Sequence, residues 1–335
     1  MPMQTIISHP KSRNTDGDRM QYHSMFSPKR SILCISCILL LNYHSALQAK
    51  PSDKSDIKIR GKSMKLSEQQ VSAQRMAKED SLLKASSTNK KEPKTRTAKS
   101  NGFIDVLTHF DYNHWWASDG WHNGFPFVNR WQADAVSHSG DGVQLTLSNH
   151  GSVEVPDWVS GELRSHEYRG YGCYEVSMKP AARSGVVSSF FLFASPYDIA
   201  PNGNGLHHEI DIEFLGDNTN FMQINFWRNG EPDEAQNARL IPLQFDAALD
   251  FHRYGIRWSS KKIQWYVDGL LVHEVSSNES DFIPKTTEST LMTIMNIWAT
   301  DEDIASWAGE FDPELGSSQS HYKDFSYQPL KQCQL

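Results

Sequence analysis

From residue 103 to the end of the chain, hydrophobic and polar residues alternate in short runs that turn-forming residues interrupt. Alternation with a period of two is typical of β-strands, because successive side chains of a strand point to opposite faces. Asp268-Gly269 lies between two such runs, and both turn positions of a tight hairpin accept these residue types. Convincing helical periodicity is absent from this part of the sequence. The pattern predicts strands over residues 143–147, 171–178, 186–193, 210–214, 222–227, 254–258, 263–267 and 291–298.

The spacing of these predicted strands indicates the fold class. Many short strands separated by turn signals are typical of an all-β sandwich or barrel. A stretch of 235 residues is long enough for one large β domain. The sequence therefore predicts a single all-β domain over residues 101–335, and it excludes a protein built mainly from helices.

The first 49 residues have the features of a secretory signal. An apolar run over residues 31–41 follows Lys29-Arg30 and leads to the small-residue motif Ala-Leu-Gln-Ala at 46–49. A start at Met25 would give this signal a more usual length. The apolar run is short for a membrane span, and an uncleaved anchor is the alternative. We expect residues 1–49 to be removed and the protein to be secreted, into the periplasm or the extracellular space.

Residues 50–100 form a separate polar segment. They contain 14 Lys or Arg residues against 6 Asp or Glu residues, and no aromatic residue. A segment of this composition has too few apolar side chains to build a core. It predicts a basic, flexible linker between the signal and the folded domain.

The predicted domain itself is acidic and rich in tryptophan. It holds 14 Lys or Arg residues against 32 Asp or Glu residues, a net charge of −18, and all ten Trp residues of the chain. Affinity for nucleic acid comes largely from Lys and Arg, so this charge argues against a DNA or RNA partner. The aromatic content argues against disorder. No apolar run after residue 49 is long enough for a confident membrane span, so we expect no stable membrane insertion after signal cleavage. We also expect the protein to be a monomer.

Four cysteines divide between the signal and the domain. Cys34 and Cys37 lie in the predicted signal, which leaves Cys173 and Cys333 in the mature chain. A secreted protein can join such cysteines in a disulfide, but their positions in the sequence do not show whether they meet. The sequence leaves this pairing open.

The segment His-Glu-Ile-Asp-Ile-Glu-Phe at 208–214 carries the candidate chemistry. On a strand, Glu209, Asp211 and Glu213 would share one face, and the alternating apolar residues would share the other. Like charges this close repel, so at least one of the three should hold a proton near neutral pH. The alternatives are a solvated polar face and a calcium site.

The next predicted strand and a later one favour a sugar site over those alternatives. Gln223, Asn225 and Trp227 would share one strand face, and Asn296 and Trp298 would share a face of another strand. Amides bind hydroxyl groups, and flat aromatic rings stack on the apolar faces of pyranose rings. Paired carboxylates next to such groups are typical of glycoside hydrolysis, in which one acts while ionised and the other donates a proton. Core packing is the alternative for each Trp taken alone.

Several collinear segments resemble glycoside hydrolase family 16, and most of residues 103–330 take part. The resemblance is nearest to bacterial lichenases and to succinoglycan-type exopolysaccharide depolymerases. It implies a jelly-roll β-sandwich of the concanavalin A type, with a concave substrate cleft, and a retaining, two-step mechanism. The segments are SGELRS (160–165), YRGYGCYEVSMKP (168–180), SGVVSSFFLF (184–193), HEIDIEFLG (208–216), MQINFWRNG (222–230), IQWYVDGLLVHE (263–274) and MNIWA (295–299).

The same resemblance implies a role for individual positions. Glu209 would be the nucleophile, Glu213 the general acid and base, and Asp211 would tune both from between them. A further set would line the cleft and bind substrate. These residues are Glu162, Arg164, Phe191, Phe193, Asn225, Trp227, Asn296, Trp298 and, through a poorly aligned loop, Asn129.

The resemblance implies no cofactor for the chemistry, but it does imply a structural Ca²⁺ away from the cleft. Asp324 matches the position of the aspartate ligand, and two other ligands in that site are backbone carbonyls. The chain also departs from the family pattern. His207-His208 stands where Trp-Asp is frequent, and the preceding loop is longer. Phe193 stands where Tyr is frequent. The two histidines would form a metal pair, a wall of the cleft or a hydrogen-bonding contact to sugar.

These observations predict a secreted retaining endo-β-glucanase that hydrolyses β-1,4 bonds in mixed-linkage β-1,3-1,4-glucan. Depolymerisation of a succinoglycan-type exopolysaccharide is an alternative, which the negative charge of the domain disfavours if the polymer is anionic. Transglycosylation of the xyloglucan type is another alternative. A carbohydrate-binding module without activity is the alternative outside enzymes.

Overall fold

The computed structural model describes residues 102–152, 154–232 and 238–335. The predicted signal at 1–49 and the predicted linker at 50–100 lie outside the described residues. Within the described residues, no helix is long and apolar enough to span a membrane.

The regular secondary structure of the described residues is almost entirely β-strand, with one short helix, α1 (Ala305–Ala308), and a few 3₁₀ turns. The strands are β1 (Phe103–Asp105), β2 (Trp115–Ala117), β3 (Arg130–Trp131), β4 (Val136–Ser139), β5 (Gly142–Asn149), β6 (Trp158–Ser160), β7 (Glu162–Ser165), β8 (Gly172–Lys179), β9 (Val186–Ala194), β10 (His208–Leu215), β11 (Phe221–Arg228), β12 (Glu231–Pro232), β13 (Arg239–Pro242), β14 (His252–Trp258), β15 (Lys262–Val267), β16 (Leu270–Ser276), β17 (Met292–Ala299) and β18 (Ser318–Pro329).

Every strand that the hydrophobic pattern predicts is confirmed by an observed strand with nearly the same bounds. The turn predicted at Asp268-Gly269 is also confirmed, because both residues have positive φ, 49° and 80°, between β15 and β16. β18 is not among the predicted strands. Its register with β8 shifts between Lys323 and Ser326, and such a bulge disturbs the period of two on which the prediction depends.

The strands of the described residues form two sheets that pack as a jelly-roll β-sandwich, which confirms the predicted fold class. Sheet A has the strand order β16-β15-β14-β8-β18-β5-β6-β3, with β1 beside β18 and β4 beside β5. Sheet B has the order β12-β11-β10-β9-β17-β7-β2, with β13 beside β11. Nearly all neighbours are antiparallel, and β3 with β6 is a parallel pair. The central strands of sheet B are the ones that carry the predicted chemistry.

The hydrophobic core lies between the two sheets. Ile210, Ile212 and Phe214 of β10 are fully buried there. Phe214 packs edge-on against Tyr254 of sheet A, with ring centroids 5.0 Å apart. Burying a side chain of this size contributes about 1.5–3 kcal/mol. The core therefore fixes which face of β10 points inward, and it sends the acidic residues to the outer face of sheet B.

Cys173 and Cys333 form a disulfide, which settles the question that the sequence leaves open. The bond joins β8 of sheet A to the C-terminal segment, across 160 residues of sequence. It therefore attaches the end of the chain to the sheet that lies opposite the acidic residues.

Candidate active site

The acidic row occupies the middle of sheet B, on the face away from the core. Glu209, Asp211 and Glu213 alternate along β10 with the buried apolar residues, as the sequence predicts. Each acid has one register partner on β9 and one on β11. These partners are Phe193 and Trp227 for Glu209, Phe191 and Asn225 for Asp211, and Ser189 and Gln223 for Glu213.

Burial and mutual repulsion change the protonation of this row. Burial raises the pKa of Glu213, a hydrogen bond from Gln223 lowers it, and the charge of Glu209 raises it again, to a value of about 7. Burial, followed by the charges of Glu209 and Glu213, holds the pKa of Asp211 well above its usual range. A hydrogen bond between the Asp211 and Glu209 side chains also raises the pKa of Asp211, because the neutral Asp211 carboxyl is the partner that can donate. Near neutral pH the row therefore contains protonated carboxyl groups, as three adjacent acids require.

A chain of two hydrogen bonds leads from Glu213 to α1. Gln223 Nε2 donates to Glu213 Oε2 at 2.8 Å, and Trp307 Nε1 donates to Gln223 Oε1 at 2.9 Å. An indole N–H can only donate, so Trp307 fixes the amide with its oxygen toward the indole and its NH₂ toward Glu213. Gln223 belongs to the strand face that the sequence assigns to the site, but it is not among the predicted substrate-binding residues, and the sequence does not indicate Trp307 at all. Strand alternation places Gln223 on the correct face, but no motif in the sequence places Trp307 beside it.

Glu162 organises the β7–β17 side of the site. Its Oε1 accepts hydrogen bonds from Ser118 Oγ and Arg164 Nε, both at 2.6 Å. Its Oε2 accepts a hydrogen bond from Asn296 Nδ2 at 3.1 Å. Glu162 is 1% exposed, so its charge is held in the protein by these donors. The predicted cleft residues Arg164 and Asn296 are thereby fixed, and Ser118 is a contributor that the sequence did not indicate.

Aromatic rings surround both ends of the acidic row. Phe193 and Trp227 lie beside Glu209, and the ring of His207 lies within 5.5 Å and 5.3 Å of their ring centroids. Phe191 packs edge-on against Phe193. The indole N–H of Trp227 is buried and has no hydrogen-bond partner. Trp227 is 0% exposed, so this donor lies beneath the surface of the site.

The other end of the row is lined by Trp298 and its neighbours. Trp298 stacks on Phe127 at 4.1 Å and lies 6.1 Å from the ring of Trp307. Asn129 is buried beside this cluster, and its Oδ1 accepts a hydrogen bond from the backbone N–H of Ala299 at 2.9 Å. Its Nδ2 has no hydrogen-bond partner. The structure thus brings the predicted catalytic and substrate-binding residues together on sheet B and the loop before β3.

Asp324 lies apart from this group, on β18 of sheet A. Its backbone is left-handed, with φ of 54°, and its side chain is exposed at the bulge of that strand. Across the part of the chain that the structure describes, no three His, Cys, Asp or Glu side chains are grouped as they would be around a metal ion. The predicted calcium site therefore rests on one carboxylate and on backbone oxygens.

The two adjacent histidines turn to different partners. His207 Nε2 contacts Glu209 Oε2 at 2.6 Å, whereas His208 Nε2 contacts Asn204 Oδ1 at 3.1 Å. Neighbouring residues of an extended chain point to opposite faces, so the two rings do not converge on one ion. Among the metal-pair, wall and sugar-contact interpretations, the structure opposes the metal pair. Burial, as the main cause, lowers the pKa of His208 to about 4.

A comparison with known protein families identifies the family. The model for glycosyl hydrolases family 16 matches residues 124–315, more than half of the chain. This chain belongs to glycosyl hydrolases family 16. The match includes the acidic row and every predicted substrate-binding residue, while Asp324 lies beyond it.

Known relatives in family 16 agree in sequence and in fold. A beta-glucanase of Paenibacillus polymyxa is 37% identical over 214 residues, which cover 63% of this chain and 82% of that protein. The solved structure of the Bacillus licheniformis beta-glucanase matches with a TM-score of 0.61 and 33% identity, covering 69% of this chain and 99% of that one. A prokaryotic beta-1,3-1,4-glucanase (lichenase) from a mouse hindgut metagenome matches with a TM-score of 0.60 and 31% identity, covering 69% and 100%. The chain is accordingly a glycoside hydrolase.

Proposed function

We propose that this chain is a retaining endo-β-glucanase that hydrolyses β-1,4 bonds in mixed-linkage β-1,3-1,4-glucan. The observation that carries the proposal is the acidic row of β10, in which Glu213 has a pKa of about 7 and Asp211 donates a hydrogen bond to Glu209. Such a row offers a proton donor and a carboxylate on one strand face. The similarity to beta-glucanases, one of them a lichenase, supports the choice of substrate.

In the first step, the protonated Glu213 carboxyl gives its proton to the glycosidic oxygen. A carboxylate oxygen of Glu209 attacks the anomeric carbon, and the bond from that carbon to the glycosidic oxygen breaks. The glucan fragment that formed the leaving group departs as an alcohol. The other fragment stays attached to Glu209 as a glycosyl ester.

In the second step, the ionised Glu213 accepts a proton from a water molecule, whose oxygen attacks the anomeric carbon. The ester bond to Glu209 breaks, and the net stereochemistry at the anomeric carbon is retained. The hydrogen bond that Asp211 donates stabilises the Glu209 carboxylate as it leaves. Both steps use only side chains and water.

The residues around the row suit the binding of a glucan chain. Aromatic rings offer flat apolar surfaces, for which we propose the half-buried Phe193. Phe191, Trp227 and Trp298 are 9%, 0% and 2% exposed, and we propose that they shape the floor of the site. Polar groups offer hydrogen bonds to hydroxyls, for which we propose Arg164, Asn225, Asn296 and Asn129. Arg164 also lies over the rings of Trp116 and Trp121, at 5.4 Å and 5.1 Å. These stacked contacts hold the guanidinium in place for a sugar.

We also infer that the protein acts outside the cytoplasm. The apolar segment at 31–41 supports export, and the disulfide between Cys173 and Cys333 supports an oxidising compartment. Detection of the intact protein and its processed N-terminus in the medium or periplasm by mass spectrometry would test this inference.

The experiment that tests the function incubates the purified chain with barley β-glucan, lichenan, laminarin, carboxymethylcellulose, xyloglucan and succinoglycan. Reducing ends and product sizes are measured, with Glu209→Gln as the inactive control. We expect cleavage of the first two polymers alone and loss of turnover by about 10³-fold or more in the variant. Activity on succinoglycan alone would move the function to exopolysaccharide depolymerisation. Glucan transfer between chains of xyloglucan would favour transglycosylation.

Glu213→Gln tests the assignment of the acid in the same assay. This variant should lose most activity on natural glucan, and it should retain much of its rate on aryl glucosides with activated leaving groups, which need no proton. If the variant cleaves activated substrates no faster than natural ones, Glu213 is not the acid.

A further inference from the structure

His207 lies directly above the proposed nucleophile. It lies just before β10, and its side chain falls on the same face as that of Glu209, which follows two positions later in the chain. Its backbone oxygen accepts a hydrogen bond from Gly230 N at 2.8 Å, which attaches it to the turn after β11. The residue is 7% exposed. A buried imidazole needs partners for its ring nitrogens, so its surroundings define its role.

The ring of His207 is held between aromatic side chains of two neighbouring strands. Phe193 of β9 and Trp227 of β11 lie 5.5 Å and 5.3 Å from it, and both are register partners of Glu209. The ring is thus constrained by the same three strands that constrain the carboxylate.

The loop that leads to His207 is fixed by hydrogen bonds at several points. Asn204 Nδ2 donates to Asn229 Oδ1 at 2.8 Å, and Asn204 Oδ1 contacts His208 Nε2 at 3.1 Å. Asp198 accepts a hydrogen bond from Tyr168 Oη at 2.6 Å. These contacts join the loop to the turn after β11 and to the segment before β8, so they limit the positions that His207 can take.

The contact between His207 Nε2 and Glu209 Oε2 is 2.6 Å long. A nucleophilic carboxylate only accepts hydrogen bonds, so the proton in this contact lies on the imidazole. Hydrogen bonds that involve a charged partner are short and strong, and they orient both groups. A side chain that served packing alone would not need this nitrogen.

We propose that His207 is a positioning residue for the nucleophile, donating from Nε2 to Glu209 Oε2 and so orienting the carboxylate for attack on the anomeric carbon. The inference rests on the proposed function and deepens it. The Asp211 carboxyl donates to the same carboxylate, so Glu209 is held by two side chains, one on each side along the strand face. This arrangement pre-organises the attack.

The test compares kcat and KM of the full chain and its variants on barley β-glucan. His207→Phe keeps an aromatic ring between Phe193 and Trp227 and removes the donor. We expect kcat to fall by about 10- to 100-fold while KM changes by less than about threefold, because hydrogen bonds to charged groups have this magnitude. His207→Gln places an amide N–H at the Nε2 position, and it should restore kcat to within about fivefold of wild type.

A matched control and a second substrate separate positioning from general disturbance. His252 forms a similar contact, Nδ1 to Asp268 Oδ2 at 2.7 Å, but on sheet A. His252→Phe should leave kcat within about twofold of wild type, since this pair is remote from the acidic row. On an aryl glucoside with an activated leaving group, His207→Phe should keep its defect, because attack by Glu209 is still required. Glu213→Gln should lose most of its defect there.

The outcomes distinguish this inference from the proposed function. Three results would overturn the positioning role while the function stands. They are a wild-type kcat in His207→Phe, an equal loss of kcat in His207→Gln and His207→Phe, and an effect of His207→Phe on KM alone. If His207→Phe is recovered unfolded, His207→Leu takes its place with the same expectation. If wild type cleaves no glucan, or Glu209→Gln keeps its turnover, the proposed function fails and the inference fails with it.

Discussion

At the scale of single residues, the behaviour of each acid depends on its neighbours more than on its type. Glu213 lies on the same strand face as Asp211, and burial raises the pKa of both. Only Glu213 has a partner that lowers its pKa, the amide of Gln223, whose orientation Trp307 fixes. A general acid works best when its pKa lies near the working pH. Gln223 and Trp307 together keep the pKa of Glu213 close to that range.

Gln223→Leu should therefore shift the pH profile of activity. Removing the donor raises the pKa of Glu213 further above 7, and an acid must be protonated to act. The alkaline limb of kcat/KM should move to higher pH by on the order of one unit. Trp307→Phe, which frees the amide to rotate, should move it in the same direction by less. Rates across pH 4–10 on natural glucan measure both shifts.

Gln264→Leu is the matched control, since Gln264 Nε2 donates to Glu274 Oε2 at 2.7 Å on sheet A. It should leave the profile unchanged. An unchanged alkaline limb in Gln223→Leu would show that this amide does not set the protonation of the acid.

At the scale of elements, β10 serves the core and the site at once. Its apolar residues are fully buried between the sheets, while its acids are enclosed on the other face. Enclosing carboxyl groups favours their neutral forms, so the folded state holds protons that the unfolded chain releases. The strand that provides the chemistry therefore makes stability depend on pH.

Glu213→Gln should remove part of this dependence. The pKa of Glu213 rises from 4.5 in the unfolded chain to about 7 in the folded protein. Both states are protonated below pH 4.5, and between these values the unfolded chain alone loses the proton, so stability falls as pH rises. Wild type should lose about 3 kcal/mol of unfolding free energy from this group between pH 4.5 and 7.5, relative to the variant.

Urea unfolding of both proteins across pH 4–8 measures this difference. Asp211 contributes in the same direction in both proteins through burial and the charge of Glu209, and the variant also loses the part of its raised pKa that the charge of Glu213 causes. Parallel stability curves for wild type and Glu213→Gln would show that Glu213 is not proton-bound in the folded protein.

At the scale of the whole molecule, the sandwich separates what stabilises the fold from what performs the chemistry. The disulfide joins β8 of sheet A to the C-terminal segment, and the acidic row lies on the outer face of sheet B. A bond that closes a long loop stabilises chiefly by restricting the unfolded chain. Its removal should therefore affect stability without affecting the site.

The double variant Cys173→Ser/Cys333→Ser should lose about 2–5 kcal/mol of unfolding free energy. Its kcat/KM at 25 °C should stay within about twofold of wild type, because no residue of the site contacts the bond. Urea unfolding under non-reducing conditions and steady-state rates measure the two quantities. An unchanged urea midpoint would contradict the stabilising role, and a large loss of kcat/KM would contradict the separation.

The predictable part of the molecule is the part that local alternation controls. The strands around Val143, Ile210 and Ile263 follow from a period of two, and the same period places Glu209, Asp211 and Glu213 on one face. β18 escapes the pattern, because a bulge changes which residues share a face. Family motifs add the residues of β7, and no local rule provides the positions of β7 and β17 in sheet B.

The sequence alone determined the all-β class, the inward face of β10 and the acidic row, because covalent geometry alternates side chains along any strand. Only the tertiary structure decided that Cys173 meets Cys333, that Trp307 fixes Gln223 across 84 residues, and that His207 contacts Glu209. These contacts depend on the order of strands in a sheet and on the path of loops between them. Both are set by packing of the whole chain, which the pattern of any one segment does not record.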